Sequence, residues 1–378
     1  MAFVRKPALI KRIERKIKKY ITCIDYTRRH NTAQSNSVYF LSSSEFKEKN
    51  LMHLIYYFYS LGYNFYLDYS FCQCLKLKVN GISVLSLQDV FPARKKTNSF
   101  SIVISPNKQV LDSFTSSGLK IHLNYLEASA ECASGKSIAK TDFYYPIGLH
   151  PTLANLSVEA EALKNALSAD RKIGVFFAGA IYGKRDGVTK KYSRDSLKKQ
   201  FNVNSRYEVF TSIIENLPKE YIYTPDSLET FFNDMESGYL KSKIVLIERN
   251  TFSIPPDKYL NVLLNSTFFI HMAGVSYPFC HNQIESMLAG CIPITQFTRF
   301  FIPAFTHGLN SLLFNTLDEL ILLLNDIISG KYINDYNSMR KEIVSYYRNY
   351  YSVASFENKL SYLFKNKIHR TNFSVCPL

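Results

Sequence analysis

Hydrophobic and polar positions in the first half of the chain alternate between short apolar runs and longer segments with helical spacing. The runs at 37–42 and 64–68 have the length of single strands, and residues 45–62 between them carry apolar side chains at helical spacing and end at Gly62. A strand, a helix and a second strand in this order form a βαβ unit, which makes the two strands parallel. The same order returns at 100–105, 108–117 and 119–123.

A second series of alternating segments occupies the rest of the chain. Apolar strand-like runs lie at 172–177, 243–248, 267–271 and 291–295, and helical patterns lie at 206–217, 256–265, 281–288, 336–351 and 356–364. A final strand and helix pair lies at 311–328. Alternating strands and helices predict a doubly wound parallel sheet. The prediction is therefore an α/β fold of two Rossmann-like domains that face a cleft. Its parts are a basic amphipathic arm (1–31), an N-terminal Rossmann-like domain (32–150), a C-terminal Rossmann-like domain (151–350), and a closing helix and tail (351–378).

Charge is concentrated at the N-terminus. The 378 residues carry 46 Lys and Arg against 31 Asp and Glu, a net charge of +15, and residues 1–31 alone contribute +8 of it. Within the arm, apolar side chains from Leu9 to Ile21 recur every three or four residues, with lysines and arginines on the other face. This pattern favours a helix on an anionic membrane surface. A helix packed on the protein's own body, or a frayed basic tail, explains it equally well.

Cysteine usage and hydropathy indicate the compartment. The seven cysteines are scattered and form no CxxC pair, which fits reduced thiols better than a zinc site or a disulfide scaffold. The longest stretch without Asp, Glu, Lys or Arg, 259–284, contains several polar residues and a proline, so it is a poor membrane span. No signal-peptide pattern is visible. We expect a cytoplasmic protein, held peripherally on the inner face of the membrane by its arm.

Residues 259–295 have the densest pattern of candidate chemistry. A strand ends near His271, where open α/β sheets bind ligands, and Gly274 permits a close turn after it. A helix then begins near His281, with Glu285 one turn inside it and Gly290 at its end. A carboxylate in this place can accept hydrogen bonds from two vicinal hydroxyls, such as those of a ribose. It can also simply complement the helix dipole.

This segment resembles the nucleotide-binding region of GT-B glycosyltransferases, in particular the exostosin-like group. The resemblance rests on Ser266-x-Phe268, Gly274, Glu285 and the run from Gly290 to Ile294. It implies that Glu285 holds the ribose of a nucleotide-sugar donor, that residues 151–350 form the nucleotide-sugar domain, and that residues 32–150 form the acceptor domain. The arginine or serine cluster that normally precedes this helix in the family is replaced here by the residues from Cys280 to Gln283, so the usual pyrophosphate contact is missing. Asn282 and Ser286 on the same helix complete this set of donor-binding candidates.

The first loop of the second domain is the candidate phosphate site. Gly179, Gly183 and Gly187 surround Lys184 and Arg185 directly after a strand, which suits close backbone approach to a phosphate beside two cations. A solvated turn is the alternative interpretation. Arg249, just past the strand at 243–248, is a third candidate cation at the same sheet edge.

The catalytic group is the least specified part of the pattern. Glycosyl transfer needs a base for the acceptor hydroxyl, or a nucleophile in a retaining route. Candidates are Asp226 in a proline-stiffened loop, Glu127 in the acceptor domain, and His281, with His150 as a further histidine near the predicted domain boundary. Structural roles are open for each of them, and Asp226 can instead cap the helix that follows it.

The resemblance implies a glycosyltransferase that moves a sugar from a nucleotide donor to a cell-surface glycan or a lipid-linked saccharide. A CMP-Kdo-dependent retaining transferase of the same fold, with Asp226 as nucleophile, is an alternative because its leaving group has one phosphate. No Asp-x-Asp motif occurs, so we expect no metal and no cofactor. A nucleic-acid-binding protein is the alternative from another class, motivated by the charge and the 27 Tyr and 28 Phe. We do not expect nucleic acid as a partner, because the aromatics lie mostly in apolar strands and helices.

Overall fold

The computed structural model describes residues 36–375, apart from 42–44, 47, 68–89, 93–99, 116, 127–138, 140, 151–152, 154–155, 182, 186–187, 191–193 and 275–276. Its contacts divide the chain into two compact units. The first contains residues 36–124 and 361–373, and the second contains 125–360 and the residues from 374 onward. The division falls near residue 124, earlier than the predicted 150, and the C-terminal segment is shared between the units. The predicted arm (1–31) lies outside the described residues.

The first unit is a parallel sheet with helices in its connections. Its strands are β1 (Ser37–Phe40), β2 (Asn64–Leu67), β3 (Val90–Pro92), β4 (Ile102–Ser105) and β5 (Leu119–Tyr125), and its helices are α1 (Glu48–Ser60) and α2 (Lys108–Ser113). The strand order is β3-β2-β1-β4-β5, with every adjacent pair parallel. This doubly wound order has its switch point between β1 and β4. The predicted Rossmann-like character of the N-terminal half is confirmed.

The second unit contains a second parallel sheet. The strands in this unit's part of the chain are β6 (Phe143–Tyr144), β7 (Ile173–Gly179), β8 (Gly183–Arg185), β9 (Val188–Lys190), β10 (Ile222–Tyr223), β11 (Ile244–Glu248), β12 (Ser266–Ile270), β13 (Ile292–Thr295) and β14 (Leu312–Leu313). Of these, β6 is the neighbour of β15 (Arg370–Val375) in the first sheet, and β8 and β9 form a separate pair. The main sheet has the order β10-β11-β7-β12-β13-β14, and all of its neighbours are parallel. The chain therefore crosses β7 when it passes from β11 to β12, which creates a switch point at the carboxyl end of β7.

The helices of the second unit connect these strands. They are α3 (Leu156–Asn165), α4 (Arg194–Phe201), α5 (Arg206–Asn216), α6 (Leu228–Glu236), α7 (Pro256–Leu264), α8 (His281–Leu288), α9 (Leu317–Ile328), α10 (Tyr336–Tyr350) and α11 (Val353–Lys365). Helix α11 runs past the division between the units. The predicted tail after it contains a strand, β15 (Arg370–Val375), which is the neighbour of β5 in the sheet order. That strand was not anticipated.

Aromatic side chains fill the cores of both units. Phe40, Phe58 and Phe65 are fully buried in the first unit, and Phe176 and Phe269 are fully buried on neighbouring strands of the second. The interior is therefore built from the residues that could otherwise have stacked on nucleic-acid bases. Core packing explains the aromatic content, which removes one of the two reasons for the nucleic-acid alternative.

Candidate functional site

A pocket of about 360 Å³ opens at the carboxyl edge of the second sheet. It lies where β7 and β11 end, beside the first turns of α7, so it occupies the switch point at which doubly wound sheets bind ligands. Its walls are made by His150, Leu153, Ala178, Gly179, Ile247, Arg249, Phe252, Ser253, Ile254, Pro256, Tyr259 and Glu285. Three of the predicted donor-binding residues, Gly179, Arg249 and Glu285, meet in this pocket.

Glu285 is the buried carboxylate of the pocket. Its side chain projects from the second turn of α8, with 3% of the residue exposed. Oε1 accepts a hydrogen bond from the peptide N–H of His150 at 3.1 Å. Burial raises the pKa of Glu285 to about 7, and the His150 hydrogen bond opposes part of this rise. The carboxyl therefore titrates near neutral pH, and within the described residues its hydrogen-bond donor is the His150 N–H.

The segment that leads to His150 is fixed to the same unit by its own contacts. The Tyr144 hydroxyl donates to the Phe300 carbonyl at 2.7 Å, and the Tyr145 N–H donates to the Ser374 carbonyl at 3.0 Å. Farther along, Nδ1 of His281 lies 2.7 Å from the Gly148 carbonyl oxygen. These contacts hold the segment against α8 and place the His150 N–H at Glu285. His150 lines the pocket itself, so this sequence candidate is at the site.

The loop after β12 depends on the absence of a side chain at Gly274. A Cβ there would lie 2.5 Å from the Phe279 carbonyl oxygen and 2.8 Å from the Tyr277 carbonyl oxygen, both of them backbone atoms. The close turn predicted from Gly274 is therefore present. Gln283 ties the same loop to α8, because its Nε2 donates to the Pro278 carbonyl at 2.8 Å and its Oε1 accepts from the Cys280 N–H at 3.3 Å. The loop fixes the start of the helix that carries Glu285.

Hydrogen bonds join the end of β7 to the end of β11. The Arg249 N–H donates to the Gly179 carbonyl at 3.1 Å, and Oε1 of Glu248 accepts from the Ile181 N–H at 3.3 Å. Arg249 is exposed, which leaves its guanidinium accessible at the rim of the pocket. The predicted cation at this edge is therefore in a position to meet an anionic ligand.

Arg206 is a second cation at this sheet edge, and sequence reasoning missed it. Its Nη1 donates to the Ala180 carbonyl at 2.9 Å and its Nε donates to the Ala273 carbonyl at 3.1 Å, so one guanidinium bridges the loops after β7 and β12. A Cβ at Gly179 would approach Arg206 Nη1 to 3.1 Å, so the glycine leaves room for this side chain. A guanidinium has five N–H donors, of which the two carbonyls take two.

The local sequence explains why Arg206 lies at the start of α5, close to the sheet edge. Ser205 caps α5 through its Oγ, which accepts from the Glu208 N–H at 3.3 Å, and Glu208 Oε2 accepts from the Ser205 N–H at 2.7 Å. Gln296 holds the residue before the cap, because its Oε1 accepts from the Asn204 N–H at 2.9 Å. The Ser-x-x-Glu capping box was visible in the sequence. It could have identified Arg206 as the first residue of a helix near the sheet edge.

Lys184 and Arg185, the other predicted phosphate contacts, lie in a short strand and not in a loop. Residues 183–185, with Lys184 and Arg185, form the strand β8, which pairs antiparallel with β9, so a hairpin stands where a phosphate loop was expected. Gly187, the remaining glycine of that prediction, lies outside the described residues, as do the side chains of the hairpin.

Two donor-binding candidates on α8 make contacts within the protein. Ser286 is fully buried, donates to the Gln283 carbonyl at 2.8 Å and lies 3.1 Å from His271 Nε2. It faces the core because it is one residue, and so about 100° around the helix, from Glu285. The prediction that Ser286 contacts the donor is corrected accordingly. Asn282 is half-buried in the first turn, where its Oδ1 accepts from the Cys280 thiol.

The catalytic candidates are not brought together in the described residues. Asp226 is exposed on the loop after β10, the edge strand, and is not among the residues that line the pocket. The cap of α6 is Ser227, whose Oγ accepts from the Thr230 N–H at 3.1 Å, so Asp226 does not cap that helix. The His281 ring packs edge-on against His150 with centroids 5.3 Å apart, and His281 is not among the residues that line the pocket. Glu127 lies outside the described residues.

The described residues contain no group of three or more His, Cys, Asp or Glu side chains placed to hold a metal ion. In the same residues, no helix combines the length and the apolar composition that crossing a bilayer requires.

No protein-family profile matches the chain, and no curated protein matches it in sequence. Solved structures similar to it include HepE from Anabaena in complex with UDP, with 9% identity, a TM-score of 0.45, and coverage of 87% of this chain and 99% of that chain. A glycosyltransferase from Rickettsia africae ESF-5 has 10% identity, a TM-score of 0.45, and coverage of 88% and 99%. The apo form of the lipopolysaccharide outer core galactosyltransferase WaaB has 10% identity, a TM-score of 0.43, and coverage of 87% and 99%. The chain's own strand order and parallel pairing define its fold as two Rossmann-like α/β units.

Proposed function

We propose that this protein is a glycosyltransferase that binds a nucleotide-sugar donor in the pocket of its second unit. The proposal rests on the segment from Ser266 to Ile294, which resembles the donor-binding region of GT-B glycosyltransferases, and on the position of that segment at a sheet switch point. Glu285 takes the role of the ribose-binding carboxylate. Arg249 and Arg206 supply positive charge for the donor phosphates.

One observation carries the proposal. Glu285 is a buried carboxylate in a pocket wall, and its only protein hydrogen bond in the described residues comes from the His150 N–H. A buried charge with so few partners is costly unless a ligand supplies further donors. Ribose hydroxyls are donors of the right kind. Arg249 and Arg206, the cations at the same sheet edge, then favour a ligand with phosphates over a neutral sugar.

The test is a binding screen with UDP, GDP, ADP and CMP, followed by the corresponding nucleotide sugars. Thermal shift and isothermal titration calorimetry should show binding to one base class, with a rise in melting temperature that follows ligand concentration. Binding of CMP alone, among the four nucleotides, would favour the Kdo-type donor. The absence of binding to every nucleotide and nucleotide sugar would contradict the proposal.

Matched variants assign the binding to the pocket. We expect Glu285→Gln to weaken nucleotide binding by about 10- to 100-fold, because a hydrogen bond to a charged group contributes about 1.5–3 kcal/mol. Glu357→Gln, on the exposed face of α11, is the control and should bind like the wild type. Equal affinities in the two variants would remove Glu285 from the site.

The same preparation distinguishes the nucleic-acid alternative. Filter binding of single-stranded oligonucleotides at two salt concentrations should show at most weak association that does not compete with the nucleotide. Tight binding that falls steeply with salt and displaces the nucleotide would favour a nucleic-acid-binding protein instead.

We also propose that the acceptor is a cell-surface glycan or a lipid-linked saccharide and that the basic arm (1–31) holds the protein at the inner membrane face. The arm's net charge of +8 and its helical spacing of apolar residues support the second proposal. Deleting residues 1–20 should abolish sedimentation with anionic vesicles and leave nucleotide affinity unchanged. Vesicle binding that survives the deletion would show that another surface contacts the membrane.

We propose that transfer needs no metal ion, because the sequence contains no Asp-x-Asp motif. Nucleotide affinity and sugar transfer should be the same in EDTA and in the presence of Mg²⁺ or Mn²⁺. A transfer rate that collapses in EDTA and returns with one of these ions would reject this part of the proposal.

A further inference from the structure

Tyr259 lines the pocket together with Glu285 but has no part in the site predicted from the sequence. It lies on the first turn of α7, and Glu285 lies on α8, which packs against α7. The Tyr259 ring packs against the core ring of Phe176, with centroids 6.4 Å apart. The ring is thus anchored in the protein, and Glu285 and Asn282 of α8 are close enough to the hydroxyl to affect its pKa.

The hydroxyl of Tyr259 is buried and makes no hydrogen bond of ordinary geometry in the described part of the chain. Burial raises its pKa well above the usual value, and the nearby Glu285 carboxylate raises it further, while the Asn282 side chain offsets part of the rise. The group therefore remains a protonated donor. A buried hydroxyl without a partner is costly, and proteins usually retain one only where something else satisfies it.

The two side chains complement each other as hydrogen-bonding groups. An ionised Glu285 can only accept hydrogen bonds, and one of its oxygens already accepts from the His150 N–H. Tyr259 can donate. A vicinal diol matches this pair, because one hydroxyl can donate to the carboxylate while its neighbour accepts from the phenol.

We propose that Tyr259 is a second sugar-binding residue of this pocket, which donates a hydrogen bond to one ribose hydroxyl while the adjacent hydroxyl donates to Glu285. This inference rests on the proposed function and adds a named residue to it. The hydroxyl oxygen is covered by surrounding atoms, so the contact requires a small shift of the lining side chains. Its consequence is selectivity for ribonucleotides that depends on Tyr259 as well as on Glu285.

The test is a thermodynamic cycle between the phenol hydroxyl and each ribose hydroxyl. Wild type and Tyr259→Phe are titrated with the nucleotide from the UDP, GDP, ADP and CMP set that binds, and with its 2′-deoxy and 3′-deoxy analogues. We expect one analogue to bind the wild type about three- to tenfold more weakly than its ribonucleotide, as for loss of one neutral hydrogen bond. The same analogue should lose less than about twofold in Tyr259→Phe, since its partner hydroxyl is already gone.

A stability measurement separates binding from a structural role. Because the phenol donates no hydrogen bond of ordinary geometry within the described residues, Tyr259→Phe should melt at the same temperature as the wild type or higher, while its nucleotide-induced shift shrinks. The inference is overturned if each deoxy analogue loses the same factor in affinity, relative to the ribonucleotide, in the wild type and in Tyr259→Phe. It is also overturned if the variant is less stable than the wild type and keeps the same ribose selectivity. If no ribonucleotide binds the wild type, the proposed function itself fails and this inference fails with it.

Discussion

The peptide N–H of His150 donates a hydrogen bond to Oε1 of Glu285 at 3.1 Å, across 135 positions of sequence. This contact joins the segment before the second sheet to the helix that carries the buried carboxylate. It satisfies one oxygen of Glu285 and offers the other to a ligand.

Glu285 should make the stability of the protein depend on pH near neutrality. Its pKa is 4.5 as a free group and about 7 in the fold, so the folded protein binds this proton more tightly than the unfolded chain does. The stabilisation is complete below pH 4.5 and is lost as the pH rises through 7. Between pH 4.5 and about pH 8 the unfolding free energy of the wild type should therefore fall by about 3 kcal/mol relative to that of Glu285→Gln.

Nucleotide binding should follow the same titration with the opposite trend. Ligand hydroxyls donate to the ionised carboxylate, so the affinity should rise up to about tenfold per pH unit below pH 7 and level off above it. Calorimetry across this range measures it, and Glu285→Gln is the control that should bind weakly with a flat profile. A wild-type affinity that does not change between pH 5.5 and 8 would contradict a role for the ionised carboxylate.

Arg206 and Arg249 should contribute to phosphate binding rather than to nucleoside binding. We expect Arg249→Met to lower the affinity for the nucleotide by about tenfold or more, because a charge-assisted hydrogen bond to a phosphate is lost. The affinity for the matching nucleoside should be unchanged. Arg206→Met should show the same selectivity together with a lower melting temperature, since Arg206 also bridges the Ala180 and Ala273 carbonyls. If Arg206→Met lowers the affinity for nucleoside and nucleotide equally, Arg206 only connects the two loops and does not bind phosphate.

Gly274→Ala should destabilise the protein by about 1–3 kcal/mol, as expected for a contact that forces a backbone shift. The added Cβ would meet the Phe279 carbonyl oxygen at 2.5 Å. Gly238→Ala is the matched control, because no atom lies within 4 Å of its Cβ position and its cost of about 1 kcal/mol is conformational. Chemical denaturation compares the two. If both variants lose the same amount, the turn after β12 can relax.

Ser286→Ala should lower stability without affecting nucleotide affinity. Ser286 Oγ lies 3.1 Å from Nε2 of the buried His271, whose Nδ1 has no hydrogen-bond partner in the described residues. Removing the hydroxyl leaves a second ring nitrogen unsatisfied, at a cost of about 1–3 kcal/mol. Thermal melts and a nucleotide titration measure both effects. A loss of affinity at unchanged stability would return Ser286 to the donor site, as the sequence suggested.

The main alternation of strands and helices could be predicted because it depends on local periodicity, whereas short elements such as β3, β6 and β10 were not predicted. The apolar runs of β7, β11, β12 and β13 were identified within one or two residues, and α8 was placed at its observed bounds. Strand β15 was missed, because its sequence Arg-Thr-Asn-Phe-Ser-Val is short and mostly polar, and it becomes a strand by adding to an existing edge. Such pairing is non-local, so no sequence window contains it.

The sequence by itself determined that this protein has two parallel α/β units, and it placed Gly179, Arg249 and Glu285 at positions that meet in one pocket. Spacing identifies these residues because strand ends and first helical turns lie at the same edge of a parallel sheet. Only the tertiary structure decided that Ser286 faces the core, that Arg206 bridges two loops, and that Tyr259 and the His150 N–H lie beside Glu285. Side-chain direction and contact across distant segments depend on packing, and one-dimensional periodicity carries no information about which segments pack together.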